Sequence, residues 1–275
     1  MDRFIHSNGI QLHLLDHPGE EPPLVLLHGL SANAHSFAGL AASSLPNRLI
    51  AVDLRGRGRS DKPDTGYSLE DHAQDVLGLL DSLELEQVIL GGHSYGGLLT
   101  LYMAATYPER VQKCVIIDSG LMAANVRELI KPSLDRLGQV LPSWEAYREA
   151  VKAAPYWQGY WDDHVEAYYR ADVQTNEDGT VQARSRPEAI AEAAEKGLMV
   201  DWPALLGQVK QPVLMLHALG SYGPPGAPAI VPLEKAQETL SLVSNHAYVQ
   251  IPGNHMTMLF GQNAEQMAQA IRAFI

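Results

Sequence analysis

The run Val88-Ile89-Leu90-Gly91-Gly92-His93-Ser94-Tyr95-Gly96-Gly97-Leu98-Leu99-Thr100-Leu101 passes from a short apolar strand pattern, through a serine bracketed by glycines, into a helix pattern. This is G-x-S-x-G in the strand–turn–helix context the motif requires. The spacing has a steric reason. A sharp turn forces the serine into a strained backbone conformation, and the neighbours two residues away must lack side chains for strand and helix to fit. The turn also sets Ser94 at the positive end of a helix, where developing negative charge is stabilised.

Working outward, similar apolar runs recur at Leu24–Leu27, Leu49–Leu54, Val115–Ile117, Val213–Leu216 and Tyr248–Ile251. Most are separated by segments of helical spacing. Leu69, Ala73, Val76, Leu77 and Leu80 form one such stripe, and Ser68 with Asp71 offers a cap at its start. Strands apolar on both faces, alternating with helices, imply a mostly parallel sheet covered on both sides. Ile10–Leu15 follows the turn signal Asn8-Gly9 and is expected to pair with Arg3–His6 as an opening hairpin.

The alternation stops between Leu121 and Leu198. This stretch shows helical periodicity and no convincing buried strand, so it reads as a helical insertion. It holds eight of the nineteen aromatic residues of the chain within positions 144 to 169, and Asn176-Glu177-Asp178-Gly179 marks a turn. The expected division is a core of residues 1–120 and 199–275, with a helical cap at 121–198.

Composition narrows the function classes. Of 275 residues, 46% are hydrophobic and 19% charged, which fits a globular chain with a large core. The net charge of −12 excludes a nucleic-acid footprint, because phosphate binding needs clustered positive charge. No stretch approaches the ~18 consecutive apolar residues of a membrane span. The N-terminus lacks the apolar core of a signal peptide, and Cys114 has no partner in the chain; together these give a cytoplasmic expectation. Cys114 sits in an apolar strand and reads as core.

A serine hydroxyl needs a base. Of the eleven histidines, His255 stands apart because Pro252-Gly253-Asn254-His255 follows the last strand, at the carboxyl edge where ligands gather in open α/β sheets. His28 is expected to order a loop after the strand Leu24–Leu27, His93 to fill the turn, and His217 to end a strand. The order Ser…acid…His fits one known hydrolase arrangement.

With Leu27-His28-Gly29, Asp53-Leu54-Arg55-Gly56-Arg57-Gly58-Arg59-Ser60, Gly92-His93-Ser94-Tyr95-Gly96-Gly97 and Gly253-Asn254-His255 in hand, the chain resembles the α/β-hydrolase superfamily. The likeness is strongest to small capped serine esterases and hydrolases of C–C or amide bonds. It implies an eight-stranded sheet with one antiparallel strand and a Ser–His–acid triad. It also implies that the amides of Leu30 and Tyr95 converge on the oxygen of a tetrahedral intermediate.

Members usually carry the acid in the loop after the strand that is Val213–Leu216 here. That loop, Ala218 to Pro232, contains neither Asp nor Glu, and Glu234 reads as the opening of the next helix. Asp118 closes the strand Val115–Ile117. Adjacent strand ends lie ~4.8 Å apart, so a carboxylate there can reach the second ring nitrogen of a histidine. A minority of the superfamily uses this position, and Asp118 is the expected acid.

The expected function is therefore a serine carboxylesterase for small to medium apolar esters, with Ser94, His255 and Asp118 as the triad. Trp144, Tyr156, Trp157, Tyr160 and Trp161 are expected to contact substrate, although such aromatics also serve as packing. The alternatives are a lactone, C–C or amide hydrolase using the same groups, or a weakly catalytic receptor-like protein. Haloalkane dehalogenases and epoxide hydrolases are disfavoured, because they use Asp where this chain has Ser94. Asp162-Asp163-His164 reads as a helix start. No metal, organic cofactor, nucleic acid or membrane partner is expected, and the oligomeric state stays open.

Overall fold

Residues buried on alternate sides of one strand must meet two separate cores, and Leu24–Leu27 does this. Leu24 and Leu26 join one apolar cluster, while Val25 and Leu27 join the other. The computed structural model describes every residue except Ala124 and Pro225. Its chain begins with strands β1 (Asp2–Ser7), β2 (Ile10–His17), β3 (Glu20–Leu27), β4 (Asn47–Val52), β5 (Val88–His93) and β6 (Val111–Ile117). Three short strands follow in the insertion: β7 (Val140–Leu141), β8 (Val173–Thr175) and β9 (Val181–Ala183). β10 (Val213–His217) and β11 (His246–Gln250) close the set.

Eight strands form one sheet in the order β1-β2-β4-β3-β5-β6-β10-β11. β2 runs against both β1 and β4, and all other pairings are parallel. The protein therefore has the α/β-hydrolase fold expected from its sequence. Helices Leu69–Ser82 and Tyr95–Thr106 bury their apolar stripes on one face of the sheet. Helices Leu233–Leu242 and Gly261–Phe274 cover the other. Ser68 and Asp71 form a reciprocal capping box at the start of the first of these.

The topology fixes where chemistry can occur. β5, β6, β10 and β11 lie side by side and parallel, so their carboxyl ends bring Ser94, Asp118, Ala218 and Pro252 to one edge. Cys114 is buried within β6, where burial pushes its thiol up to about 12 and leaves it inert.

The stretch 121–198 departs from the expectation of helices alone. It contains helices Val126–Leu134, Trp144–Lys152, Asp163–Asp172 and Pro187–Leu198, and also a three-stranded antiparallel sheet in the order β7-β9-β8. These strands are two or three residues long, too short to carry a visible alternation. Asn176–Gly179 is the turn of the β8–β9 hairpin. Among the described residues, no helix is long and apolar enough to cross a membrane.

Candidate active site

Ser94 sits between β5 and the helix Tyr95–Thr106 with φ 53° and ψ −117°, a left-handed conformation that costs a non-glycine residue about 1–3 kcal/mol. The glycines around it are sterically compelled. A Cβ on Gly96 would stand 1.9 Å from the Leu27 carbonyl oxygen, and one on Gly92 would stand 2.1 Å from that of Gly96. The Ser94 amide donates to Ile117 O at 3.0 Å, and Ser119 Oγ donates to Ser94 O at 2.6 Å. β6 therefore braces the turn from one side and β3 from the other.

Asp118 follows β6 with φ 45°, fully buried. Its Oδ2 accepts from His255 Nδ1 at 2.6 Å, and its Oδ1 accepts from the Ala218 amide at 3.0 Å. A carboxylate can only accept, so this contact places the imidazole proton on Nδ1 and leaves Nε2 with a lone pair. His255 is held by more than the acid. The Asn254 side chain accepts from the amides of Met256 and Thr257 at 3.0 Å each and donates to Tyr156 O at 2.9 Å. His93 Nε2 donates to His255 O at 2.9 Å, with the two rings 4.3 Å apart. Burial, reinforced by His255, keeps His93 well below its usual pKa and neutral.

On the opposite side, Leu54 N donates to His28 Nε2 at 3.0 Å, and His28 Nδ1 donates to Gly29 O at 2.8 Å. Burial lowers His28 to about 4, so it stays neutral and fixes the loop leading to Leu30. Neither the Leu30 nor the Tyr95 amide donates to a protein acceptor among the described residues. Asp53, at the start of the Asp53–Ser60 motif, ties this loop together. Asp53 accepts from the amides of Ala34 and Arg59 and from His13 Nδ1.

Ser94, Tyr95, Leu30 and His255 all line one cavity of about 420 Å³. This size suits a small organic ligand. Ser94 Oγ and His255 Nε2 share that space without a direct hydrogen bond, a looseness common before substrate closes the geometry. Of the five aromatics expected to contact substrate, only Tyr156 lines the cavity.

The other four are occupied with packing. Trp157 is buried and donates to Tyr169 Oη at 2.8 Å. Trp161 stacks on Tyr169 at 5.7 Å and donates to Glu166. Tyr160 donates to Asp162, and Trp144 stacks on Tyr147 beneath Arg170. Asp162 accepts from the Val165 amide, so it is a helix cap. Among the described residues, no cluster of metal-ligating side chains occurs.

The cavity wall contains groups that sequence reasoning missed. Tyr222 comes from the Gly/Pro-rich loop, stacks on Tyr156 at 4.7 Å, and sets its ring at 88° to His255. Its hydroxyl meets Ser133 Oγ at 2.5 Å. Arg136 Nη2 donates to Ser31 O at 3.0 Å, and its Nη1 lies 2.9 Å from Asp172 as an ion pair without hydrogen-bond alignment. Tyr168, Tyr169, Trp202 and Met256 complete much of the rest. No local spacing in the sequence distinguishes these residues from their neighbours.

A family model describing the alpha/beta hydrolase fold matches residues 22–221. A 2-(acetamidomethylene)succinate hydrolase of Mesorhizobium japonicum is 42% identical over 102 residues, 36% of either chain. A 2-hydroxymuconate semialdehyde hydrolase of Pseudomonas sp. is 30% identical over 178 residues, 62% of this chain and 61% of its own. The chain spans about a third of the length of the first curated relatives it matches. The crystal structure of E-2-(acetamidomethylene)succinate hydrolase superposes with a TM-score of 0.87 at 26% identity, covering 100% of this chain and 98% of that one.

Proposed function

Since the chain belongs to the α/β-hydrolase fold family, we propose that it is a serine hydrolase, a carboxylesterase that cleaves small to medium apolar esters through an acyl-enzyme. The observation that carries this reading is the 2.6 Å contact of Asp118 with His255, at the wall of the cavity that Ser94 lines. In this reading residues 121–198 are a cap over a core made of 1–120 and 199–275.

Ser94 Oγ attacks the acyl carbon while His255 Nε2 takes its proton. The carbonyl π pair moves onto oxygen, where the amides of Leu30 and Tyr95 receive it. Collapse of the tetrahedral intermediate breaks the bond to the alkoxide, which His255 protonates as it leaves. Water then adds to the acyl-enzyme with His255 again as base, releasing the acid and free Ser94. Asp118 holds the imidazole in the Nδ1–H tautomer and stabilises the imidazolium.

A second reading is favoured by Arg136 in the cavity wall and by relatives named for carboxylate-bearing substrates. The same groups would then hydrolyse an amide or C–C bond in a substrate whose carboxylate meets Arg136. The Asp172 carboxylate keeps Arg136 charged despite burial.

Fluorophosphonate labelling followed by peptide mass spectrometry tests the shared chemistry, with Ser94 as the expected site. Modification elsewhere sinks the assignment. A panel of p-nitrophenyl esters, lactones, diketones and N-acyl amino-alkene acids, run beside Ser94→Ala, separates the two readings by kcat/KM.

A further inference from the structure

Arg57 lies in the turn after β4 and is fully buried. Among the described residues, no carboxylate pairs with it. Its neighbour Arg55 shows the contrast, since that guanidinium grips both oxygens of Asp75. The partners of Arg57 are neutral. Nε donates to Leu30 O at 2.9 Å, while Nη1 donates to Arg55 O at 2.7 Å and to His72 Nε2 at 2.9 Å. His72 Nδ1 donates to Ser68 O at 2.6 Å, so its Nε2 lone pair is free to receive Arg57. Nη2 has no partner, and the guanidinium carbon stands 5.7 Å from the centre of the Tyr95 ring.

A buried guanidinium without a counter-ion is expensive to keep, and the usual solution is a carboxylate within reach. Here the charge instead meets the Leu30 carbonyl and the Tyr95 ring, in two residues that line the Ser94 cavity. We propose that Arg57 is a positioning residue for the oxyanion site: it anchors the Leu30 backbone, packs against the Tyr95 ring and places an unmatched positive charge behind the two amides that would receive the oxyanion. The negative charge that complements it arises only when a substrate carbonyl becomes tetrahedral.

This inference rests on the serine-hydrolase reading. Burial lowers the guanidinium to about 10, so it is charged at neutral pH, when His72 is neutral.

The full-length protein, Arg57→Met and Arg57→Lys are compared on p-nitrophenyl butyrate, with fluorophosphonate inactivation rates and melting temperatures alongside. Arg57→Met is expected to lower kcat about 10- to 100-fold with KM nearly constant, because only transition-state stabilisation is lost. Phosphonylation of Ser94 should slow in parallel, since the phosphonyl oxygen occupies the same site.

Arg57→Lys keeps the charge but cannot make the same fork of contacts, so an intermediate kcat is expected. A kcat for Arg57→Met within about twofold of wild type, or a change confined to KM, overturns the inference. If Arg57→Met does not fold, Arg57→Lys decides: a lower kcat at constant KM and melting temperature supports it, and a wild-type kcat overturns it. Wild type that neither turns over nor labels at Ser94 overturns this inference and the underlying reading together. Labelling at Ser94 with unaffected Arg57 variants overturns this inference alone.

Discussion

The Ala218 amide donates to Asp118 Oδ1 at 3.0 Å. Ala218 opens the loop in which similar hydrolases usually carry their acid. In this chain the loop contributes a backbone donor to Asp118, the proposed acid, which the neighbouring strand supplies. Asp118 thus has one oxygen on the loop after β10 and the other on His255. His217, 3.8 Å from Oδ1, gives its Nε2 proton to Val231 O at 2.7 Å and does not compete.

Replacing Asp118 by Asn tests this arrangement directly. The amide would turn an NH₂ toward either Ala218 or His255 and favour the wrong tautomer of the imidazole. Turnover is expected to fall by about 10⁴, as when the acid of a serine protease triad is neutralised. Steady-state kinetics on the best ester of the panel reads this out. Near-wild-type turnover would remove Asp118 from the mechanism.

Gly220 makes a second, purely steric prediction. Its amide donates to Gly253 O at 3.0 Å, and a Cβ at position 220 would stand 2.4 Å from that same oxygen. Gly220→Ala should push apart the two loops that meet at Asn254 and His255, and a displacement near 1 Å costs about 10² in kcat. Unchanged kinetics and an unchanged crystal position of His255 would show that the loops yield without consequence.

The cavity lining separates two aromatics of the same segment. Tyr156→Ala opens the wall beside Tyr222 and is expected to alter the ranking of acyl chain lengths by kcat/KM. Trp144→Ala, remote from the cavity, should leave that ranking intact and cost stability through lost packing, about 3–5 kcal/mol if the site were fully buried and less at this half-buried position. The reverse pattern would misplace the substrate.

Stability should decline in mild acid. Burial holds His28 at about 4, and it holds His72 and His93 well below their usual value, with the charges of Arg57 and His255 adding to the effect. Below about pH 6.5 the unfolded chain takes up protons that these folded histidines refuse, so stability is complete above that pH and lost as pH falls toward the folded values. Each contributes up to about 1.4 kcal/mol per pH unit.

His13 acts in a different window. Burial opposes its charge, but Asp53 and Asp2 outweigh it and raise its pKa. Its contribution is complete below about pH 6.5 and is lost as pH rises through the raised value, so it does not mask the acid slope. Urea unfolding at about pH 7 and about pH 5 measures the slope, and His28→Gln should reduce it by roughly one proton. A flat profile would contradict the buried neutral histidines.

What was legible in the sequence follows from the range of the forces involved. Six of the eight strands of the sheet are written as local apolar runs, and the opening hairpin is marked by the Asn8-Gly9 turn signal. The bracket of Gly92 and Gly96 around Ser94 is a steric requirement confined to a few residues. The approach of Asp118 to His255 spans 137 positions. It could be read only because parallel neighbouring strands carry their ends to one edge.

The cavity wall could not be read in that way. Trp157 and Tyr156 are adjacent in sequence, yet one points into packing and the other into the cavity, and composition carries no such direction. Tyr222, Ser133 and Arg136 reach the site through the docking of a loop and a helix with no periodic partner. Strands of two or three residues leave no alternation to detect.

The proposed placement of the acid on Asp118 has an evolutionary consequence. Residues 219–232 contain no carboxylate, and they carry Tyr222 to the cavity, where its hydroxyl ties to Ser133. Because Asp118 is anchored by the strand next door, the part of this segment beyond Gly220 can lengthen, shorten or change composition while the proposed reacting groups keep their places. Selection for a new substrate can act there on one loop at a time, with the chemical machinery inherited unchanged.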